Sequence, residues 1–135
     1  VNTKIKFREP YRPFAPSVLA EYAKDFFEIT DAENHYPARF MLYVVPVKKE
    51  KQGIVPAITH VDGSARPQLV FKETFPRYWK LIDWFRQKTG VPMLLNTSFN
   101  LRGEPIVNTP ENAINTFLKS EMDLLVLGNF IAQKK

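Results

Sequence analysis

The most regular hydrophobic pattern in the chain lies between Pro76 and Gly90. Apolar side chains at Tyr78, Ile82 and Phe85 recur at intervals of three and four residues, which is the spacing of one face of an α-helix. Pro76 can begin such a helix, and Gly90 can end it in a left-handed conformation. The pattern predicts the longest helix of the chain at this place.

Two further segments have apolar residues at helical spacing, and each follows a proline that can begin a helix. The first begins at Pro16. The second begins at Pro110, directly after Thr109, a residue type that caps helices. The predicted apolar faces comprise Val18, Leu19, Tyr22 and Phe26 in the first helix, and Ala113, Ile114, Phe117 and Leu118 in the second.

Short apolar runs between polar or proline-containing segments predict strands. They lie at residues 4–7, 39–47, 54–61, 67–71, 91–95 and 124–127. The link between the third and fourth runs has Gly63 at its tight point, so these two runs are expected to pair as an antiparallel hairpin. Helices interleaved with such strands predict an α/β or α+β fold, with a twisted mixed β-sheet and packed helices.

Composition favours one globular domain over residues 1–135, because 44% hydrophobic and 13% aromatic residues suffice for a packed core. No run approaches the roughly 18 apolar residues of a membrane span. We therefore expect a cytoplasmic protein without a membrane partner. The absence of cysteine excludes disulfides and thiolate metal sites. Because the chain starts at Val1 rather than methionine, we expect a fragment of a longer polypeptide.

The chain is moderately basic, and several cations gather in its opening segment. Nineteen Lys and Arg against fourteen Asp and Glu give a net charge of +5, which favours an anionic partner such as a nucleotide, phosphate or RNA. If residues 4–7 are extended, Lys6 and Arg8 share one face, where an anion would relieve their repulsion. Arg12 follows on a stiff, proline-rich stretch, and Ser17 lies near the predicted helix start. The alternative is a solvated edge strand.

A second polar cluster follows the predicted strand at residues 91–95. Asn96, Ser98 and Asn100 supply amide and hydroxyl groups, and Gly103 permits a close backbone approach. Ligands of open α/β sheets bind at the carboxyl ends of strands. The cluster therefore suits an anionic, oxygen-rich ligand, although the same residue types also build ordinary turns.

A third polar cluster occupies the predicted hairpin link at residues 60–66. Asp62 can contact Mg²⁺ beside a polyphosphate, and Arg66 can face a phosphate. His60 adds a titratable group. The alternative is that Asp62 and the following glycine only form a turn and that the histidine is structural.

Two motifs in these clusters resemble a known pair. Lys6-Phe7-Arg8 and Ser98-Phe99-Asn100 resemble the Lys-x-Arg and Ser-x-Asn motifs of the YrdC-like fold. Residues 5–17, 60–66 and 96–107, taken in order, resemble the C-terminal domain of carbamoyltransferases of the NodU/CmcH type. The resemblance extends over essentially the whole chain.

The resemblance implies a YrdC-like domain that takes ATP with Mg²⁺ and carbamoyl phosphate and forms carbamoyl adenylate. A missing N-terminal domain, similar to sugar-kinase and Hsp70-type ATPases and carrying a histidine-bound metal, would then transfer the carbamoyl group to a hydroxyl-bearing acceptor. By the same resemblance, the isolated chain should bind ATP weakly without carbamoylating an acceptor.

The resemblance also assigns residues. Lys6 and Arg12 match positions that hold carbamoyl phosphate, and with Arg66 they are the expected catalytic residues. The ATP and carbamoyl adenylate pocket is expected to include Arg66, Asn96 and Ser98, with Arg8 and Asn100 placed by the YrdC-like motifs. The alternative is a YrdC-like RNA- or nucleotide-binding module without carbamoyl transfer. Nucleic acid is not the expected partner, because the cations converge on motifs rather than forming a stripe.

Overall fold

The computed structural model describes residues 1–134, which form two compact units. One, here called the sheet unit, is Pro13–Thr97. The other, here called the terminal unit, combines Val1–Arg12 with the described residues from Ser98 onward. The prediction that residues 1–135 form one domain stays a prediction.

Seven strands and four α-helices make up the regular structure of the described residues. The strands are β1 (Ala15–Leu19), β2 (Val45–Pro46), β3 (Ser64–Ala65), β4 (Gln68–Val70), β5 (Met93–Asn96), β6 (Leu124–Leu127) and β7 (Phe130–Gln133). The α-helices are α1 (Ala23–Phe26), α2 (Lys49–Gln52), α3 (Pro76–Thr89) and α4 (Pro110–Lys119). A π-helical turn at Asn2–Lys6 and 3-10 turns at Ala20–Tyr22 and Tyr36–Phe40 complete the set.

The sheet unit is organised around β1, the middle strand of a three-stranded sheet with the order β4-β1-β5. Strand β4 runs parallel to β1, with Ser17 opposite Gln68. Strand β5 runs antiparallel to β1, with Val18 opposite Met93. The sheet is therefore mixed. Together with the helices, it confirms the predicted α/β (α+β) fold class, and residues 1–134 contain no closed barrel.

Helix α3 confirms the strongest sequence prediction. Its buried residue Ile82 packs with Leu19 of β1 and Val70 of β4. Gly90 ends the helix at φ 78°, and its N–H donates to the Arg86 carbonyl at 2.7 Å. This left-handed conformation favours glycine. No helix among residues 1–134 has both the length and the apolar character needed to cross a membrane.

The helix predicted from Pro16 is wrong in its first part, because residues 15–19 form strand β1 instead. Helical structure begins only at Ala20, with the 3-10 turn Ala20–Tyr22 followed by α1. Pro16, Ser17, Val18 and Leu19 are all buried, as expected of a middle strand covered on both faces rather than an amphipathic helix. Ser17 therefore does not lie at a helix N-terminus. Its hydroxyl donates to Gln68 Oε1 at 2.9 Å within the sheet.

Two strand predictions in the sheet unit, at residues 39–47 and 54–61, are also wrong in whole or in large part. Of residues 39–47, only Val45–Pro46 is a strand, and Leu42 is 74% exposed. Residues 54–61 form no strand, consistent with Pro56 lacking the N–H that a strand ladder needs. The predicted hairpin is also wrong, because β4 pairs with β1 and β3 pairs with β2.

The terminal unit contains α4 and the antiparallel pair of β6 and β7. The predicted N-cap is confirmed, since Thr109 Oγ1 accepts from the Asn112 N–H at 3.1 Å. Ala113 and Phe117 of α4 pack with Leu125 of β6. The strand predicted at residues 4–7 is wrong. Phe7 has φ 48° and follows the π-helical turn, a left-handed conformation incompatible with an extended strand.

Candidate functional site

The terminal unit has a pocket of about 280 Å³ that four cationic side chains line, here called the cation pocket. One carboxylate, that of Glu9, also lines it. Excess positive charge around a concave surface attracts anions. The full lining comprises Lys6, Arg8, Glu9, Arg12, Ser98, Asn100, Leu101, Arg102 and Gly103.

Lys6 occupies the most buried position among these cations, being only 7% exposed. Its Nζ donates to the carbonyl oxygens of Ser98 and Asn100, each at 2.7 Å, and to Asn100 Oδ1 at 2.8 Å. Ser98 Oγ lies at 3.4 Å. Since an ammonium group has three N–H donors, Lys6 ties the opening segment to the 98–100 loop while bringing its charge to the pocket.

Further hydrogen bonds hold the 98–104 loop in shape. Ser98 Oγ donates to Asn100 Oδ1 at 2.7 Å, and Asn100 Nδ2 donates to the Glu104 carbonyl at 2.8 Å. The Glu104 carboxylate in turn accepts from Lys119 Nζ of α4 at 3.3 Å. The polar residues of the Ser-x-Asn motif thus build this wall of the cation pocket.

Arg8 and Arg12 are supported very differently. Arg8 Nε donates to Asn2 Oδ1 at 2.7 Å, which fixes the plane of the guanidinium group. The Arg12 guanidinium is exposed and lies 4.0 Å from the Glu9 carboxylate. An exposed ion pair of this length contributes little to stability, so Arg12 can reorient toward a ligand at little cost.

The charges of the cation pocket disfavour one another. Burial lowers the pKa of Lys6, and the positive charge of Arg8 lowers it further. Burial also lowers the pKa of Arg8, with a further lowering by Arg12 that Glu9 partly offsets. Because a bound anion stabilises the charged form of a base, anion binding would raise the pKa values of Lys6 and Arg8.

Arg102 is a lining residue that the sequence reasoning missed. Its exposed guanidinium makes no hydrogen bond or ion pair with another of residues 1–134. The next residue, Gly103, has φ 81°, and a Cβ at this position would meet no other atom within 4 Å. An arginine followed by glycine inside the polar cluster was the signal available in the sequence, because such a turn presents the guanidinium at a loop tip.

Asn96 belongs to the sheet unit, at the end of β5. Its Nδ2 donates to Gln68 Oε1 at 2.7 Å, the oxygen that also accepts from the Ser17 hydroxyl. A weaker contact joins the Asn96 amide to Met41 Sδ at 3.6 Å. The structure therefore gives Asn96 a role in linking the three strands, in addition to any role toward a ligand.

Arg66, Asp62 and His60 also belong to the sheet unit. Arg66 is exposed and has no hydrogen bond or ion pair within residues 1–134. Asp62 Oδ1 accepts from the N–H and the hydroxyl of Ser64, at 2.9 and 2.6 Å. The Ser64 bonds lower the pKa of Asp62. His60 Nδ1 lies 3.3 Å from the same hydroxyl.

The structure bears on the predicted Mg²⁺ contact of Asp62 only through its neighbours. Among residues 1–134, no group of three or more histidine, aspartate or glutamate side chains could hold a metal ion. Asp62 can still provide one contact, since Mg²⁺ bound with a nucleotide often has only one or two carboxylate ligands and takes the rest from phosphate and water.

Comparison with known families decides what kind of domain carries this pocket. The sequence profile described as "Carbamoyltransferase C-terminus" matches residues 1–134. The chain belongs to this carbamoyltransferase family. The match confirms the resemblance seen in the three motifs.

Named relatives agree with this assignment. Nodulation protein NolNO of Sinorhizobium fredii is 49% identical over 135 residues, which cover 100% of this chain and 20% of the relative. An uncharacterized protein of Synechocystis is 47% identical over 154 aligned positions, with 99% and 24% covered. Nodulation protein U of Rhizobium tropici is 36% identical over 100 residues, with 74% and 16% covered. The chain thus spans about a quarter or less of the length of these relatives.

Within the carbamoyltransferase domain, the terminal unit brings together five of the predicted site residues. They are Lys6, Arg8, Arg12, Ser98 and Asn100. Asn96 and Arg66 lie in the sheet unit.

Proposed function

We propose that this domain binds carbamoyl phosphate in the cation pocket and uses ATP to convert it into carbamoyl adenylate. The observation that carries the proposal is the group of Lys6, Arg8, Arg12 and Arg102 around one pocket, with Glu9 as its one carboxylate. Membership of the carbamoyltransferase family supplies the chemical context. Guanidinium groups suit a phosphate because they donate two parallel hydrogen bonds.

The proposed reaction has two balanced steps. Water first cleaves carbamoyl phosphate to carbamate and inorganic phosphate. A carbamate oxygen then attacks the α-phosphorus of ATP, and the bond from that phosphorus to pyrophosphate breaks. Negative charge shifts among phosphate oxygens in both steps, so positioned cations and N–H donors supply most of the required stabilisation.

Each cation has a distinct proposed role in that chemistry. Arg12 and Arg102 grip the phosphate of carbamoyl phosphate, since both guanidinium groups are exposed at the pocket. Lys6 contributes its charge from a buried position. An anion that bonds Lys6 Nζ directly would have to replace one of its three loop acceptors.

The ATP contacts proposed for the sheet unit involve Arg66, Asn96 and Asp62. Arg66 would pair with a phosphate, and Asn96 would orient the adenylate while remaining bonded to Gln68. Asp62 would hold Mg²⁺, which would neutralise charge on the ATP phosphates. Ser98 and Asn100 shape the wall of the cation pocket through their mutual hydrogen bond.

Transfer of the carbamoyl group to a hydroxyl acceptor belongs, in this proposal, to a further domain of the longer protein. The relatives are about four or more times longer than the chain. Carbamoyl adenylate exposed to water would hydrolyse, so a neighbouring site must receive it. The chain alone is therefore expected to bind substrates without carbamoylating an acceptor.

The binding part of the proposal can be tested by two-dimensional NMR. Titration with carbamoyl phosphate should shift the amide signals of residues 98–103 and of Arg8, and Arg12→Ala should weaken binding by about tenfold or more. Lys4→Met is the matched control, because it removes one exposed positive charge from the same segment outside the pocket. Equal affinities in all three proteins would contradict the proposal, as would shifts confined to residues outside the pocket.

A further inference from the structure

Asn2 is a buried polar residue that hydrogen-bonds to lining residues of the cation pocket without lining the pocket itself. It is 8% exposed, and its side chain uses both ends of its amide. Oδ1 accepts from Arg8 Nε at 2.7 Å, while Nδ2 donates to the carbonyls of Pro10 at 3.1 Å and Arg12 at 2.7 Å.

These bonds join the two arginines of the opening segment through one side chain. The Arg8 guanidinium is held by Oδ1, and the backbone that carries Arg12 is held by Nδ2. A backbone bond from the Arg8 N–H to the Asn2 carbonyl, at 3.0 Å, adds to the same arrangement. The amide of Asn2 supplies both the acceptor and the donor that these bonds need, whereas an ionised carboxylate lacks the donor and an alkyl chain lacks both.

The energetic need for this support follows from the charges. Arg8 and Arg12 lie close enough for Arg12 to lower the pKa of Arg8, after the larger effect of burial. Without a restraint, a long arginine side chain would move away from a like charge, and ordering it again on ligand binding would cost entropy. A fixed Arg8 avoids that cost.

We propose that Asn2 is a positioning residue of the cation pocket. It holds Arg8 and the Pro10–Arg12 turn in the geometry that binds phosphate. This inference rests on the proposed function of the cation pocket. Asn2 acts through the arginines and contacts no ligand itself.

The test measures carbamoyl phosphate affinity for the wild type, Asn2→Ala, Arg8→Ala and the double variant. Asn2→Ala is expected to weaken binding by about three- to tenfold, the effect of freeing one long side chain. In the Arg8→Ala background, the same substitution should weaken binding by about twofold or less, because the group that Asn2 positions is already gone.

Two further variants separate positioning from general loss of stability. Arg8→Lys keeps the charge but lacks the Nε donor, so it should weaken binding with Asn2 left intact and does not depend on folding of an Asn2 variant. Thr109→Ala removes the α4 cap in the same unit and should lower stability with no change in affinity. The Arg8 Nε–H resonance should exchange slowly with water in the wild type and rapidly in Asn2→Ala.

The possible results separate the positioning role of Asn2 from the proposed function of the cation pocket. If Arg8→Ala weakens binding but Asn2→Ala does not, or if Asn2→Ala weakens it equally in both backgrounds, the positioning role is contradicted while carbamoyl phosphate binding in the cation pocket is not. If Arg8→Ala and Arg12→Ala both bind carbamoyl phosphate like the wild type, both proposals are contradicted.

Discussion

Replacing Lys6 by methionine should destabilise the terminal unit as well as weaken anion binding. Methionine keeps the unbranched apolar stem but removes the ammonium group that holds the carbonyl oxygens of Ser98 and Asn100 and the Asn100 side chain. All three contacts are 2.7–2.8 Å long. The substitution leaves three oxygen atoms without this donor.

The size of the effect follows from the environment of Lys6. A hydrogen bond to a charged group contributes roughly 1.5–3 kcal/mol, and its loss costs most where water cannot replace the donor. Lys6 itself is 7% exposed, but Ser98 is exposed and can be hydrated. Since the positive charge is also disfavoured by burial and by Arg8, we expect a net loss of about 2–3 kcal/mol rather than the full sum.

Hydrogen exchange measured by NMR can resolve this loss within the terminal unit. The amides of Arg8 and Val107 are hydrogen-bonded to the Asn2 and Phe99 carbonyls, and a loss of about 2–3 kcal/mol should speed their exchange by roughly 30- to 150-fold. Both tryptophans lie in α3 of the sheet unit, so their fluorescence separately reports unfolding there.

Lys4→Met is the matched control for this experiment. It makes the same substitution in the same turn, but the Lys4 ammonium group is exposed and forms one long ion pair, 3.9 Å from the exposed Glu121 carboxylate. Such a pair contributes at most about 1 kcal/mol. Equal changes in exchange rates for Lys6→Met and Lys4→Met would mean that the Lys6 ammonium group does not hold the 98–100 loop in place.

Three further predictions concern affinity, pH and the end of a helix. Arg12→Ala should leave the urea midpoint of unfolding equal to that of the wild type within error while weakening sulfate binding, since the one salt bridge of Arg12 within residues 1–134 is long and exposed; a large shift of the midpoint would contradict this. Sulfate affinity should fall as pH rises toward 10.5, because the lowered pKa of Lys6 means its charge is lost earlier than that of an ordinary lysine, and Lys6→Arg should flatten the fall; an unchanged slope would argue against the role of its charge. Gly90→Ala should lower the free energy of unfolding by about 1 kcal/mol, as measured by tryptophan fluorescence, because φ is 78° with no steric clash nearby; an equally stable variant would exclude this backbone strain.

The elements that were predictable from sequence carry local signals that do not depend on partners. Helix α3 combines an apolar face with Pro76 and Gly90 at its ends, and α4 has the cap at Thr109. Strand β5 follows the α3 end and is too short an apolar run for a helix. In each case the local signals, whether residue spacing, end residues or length of the apolar run, indicate the same type of element.

The elements that were not predictable depend on where the chain is covered. The apolar residues of 16–19 fit both a helix face and a middle strand, and only pairing with β4 and β5 decides between them. The apolar run from Phe40 to Val44 has no strand partner and is largely exposed, because the adjoining 3-10 turn at Tyr36–Phe40 redirects the backbone. Periodicity alone contains no information on such partners.

The candidate site also has residues that local sequence signals identified and residues that they did not. The motif pair singled out four positions, and all of them line the cation pocket: Lys6, Arg8, Ser98 and Asn100. The reason offered from spacing, a shared strand face, is wrong because the segment is a π-helical turn. Asn2 was missed because its role depends on contacts with Arg8, Pro10 and Arg12 that no local pattern records. Arg102 was missed although its position before Gly103 in the polar cluster was a usable signal.

Adenylate formation in this domain can be measured directly as the release of pyrophosphate from ATP by the purified domain with Mg²⁺. We expect release that requires carbamoyl phosphate and is lowered by about tenfold or more in Arg12→Ala and Arg102→Ala, with Lys4→Met behaving like the wild type. Pyrophosphate release at the same rate without carbamoyl phosphate, or at the wild-type rate in both arginine variants, would contradict the claim that the cation pocket binds carbamoyl phosphate for adenylate formation.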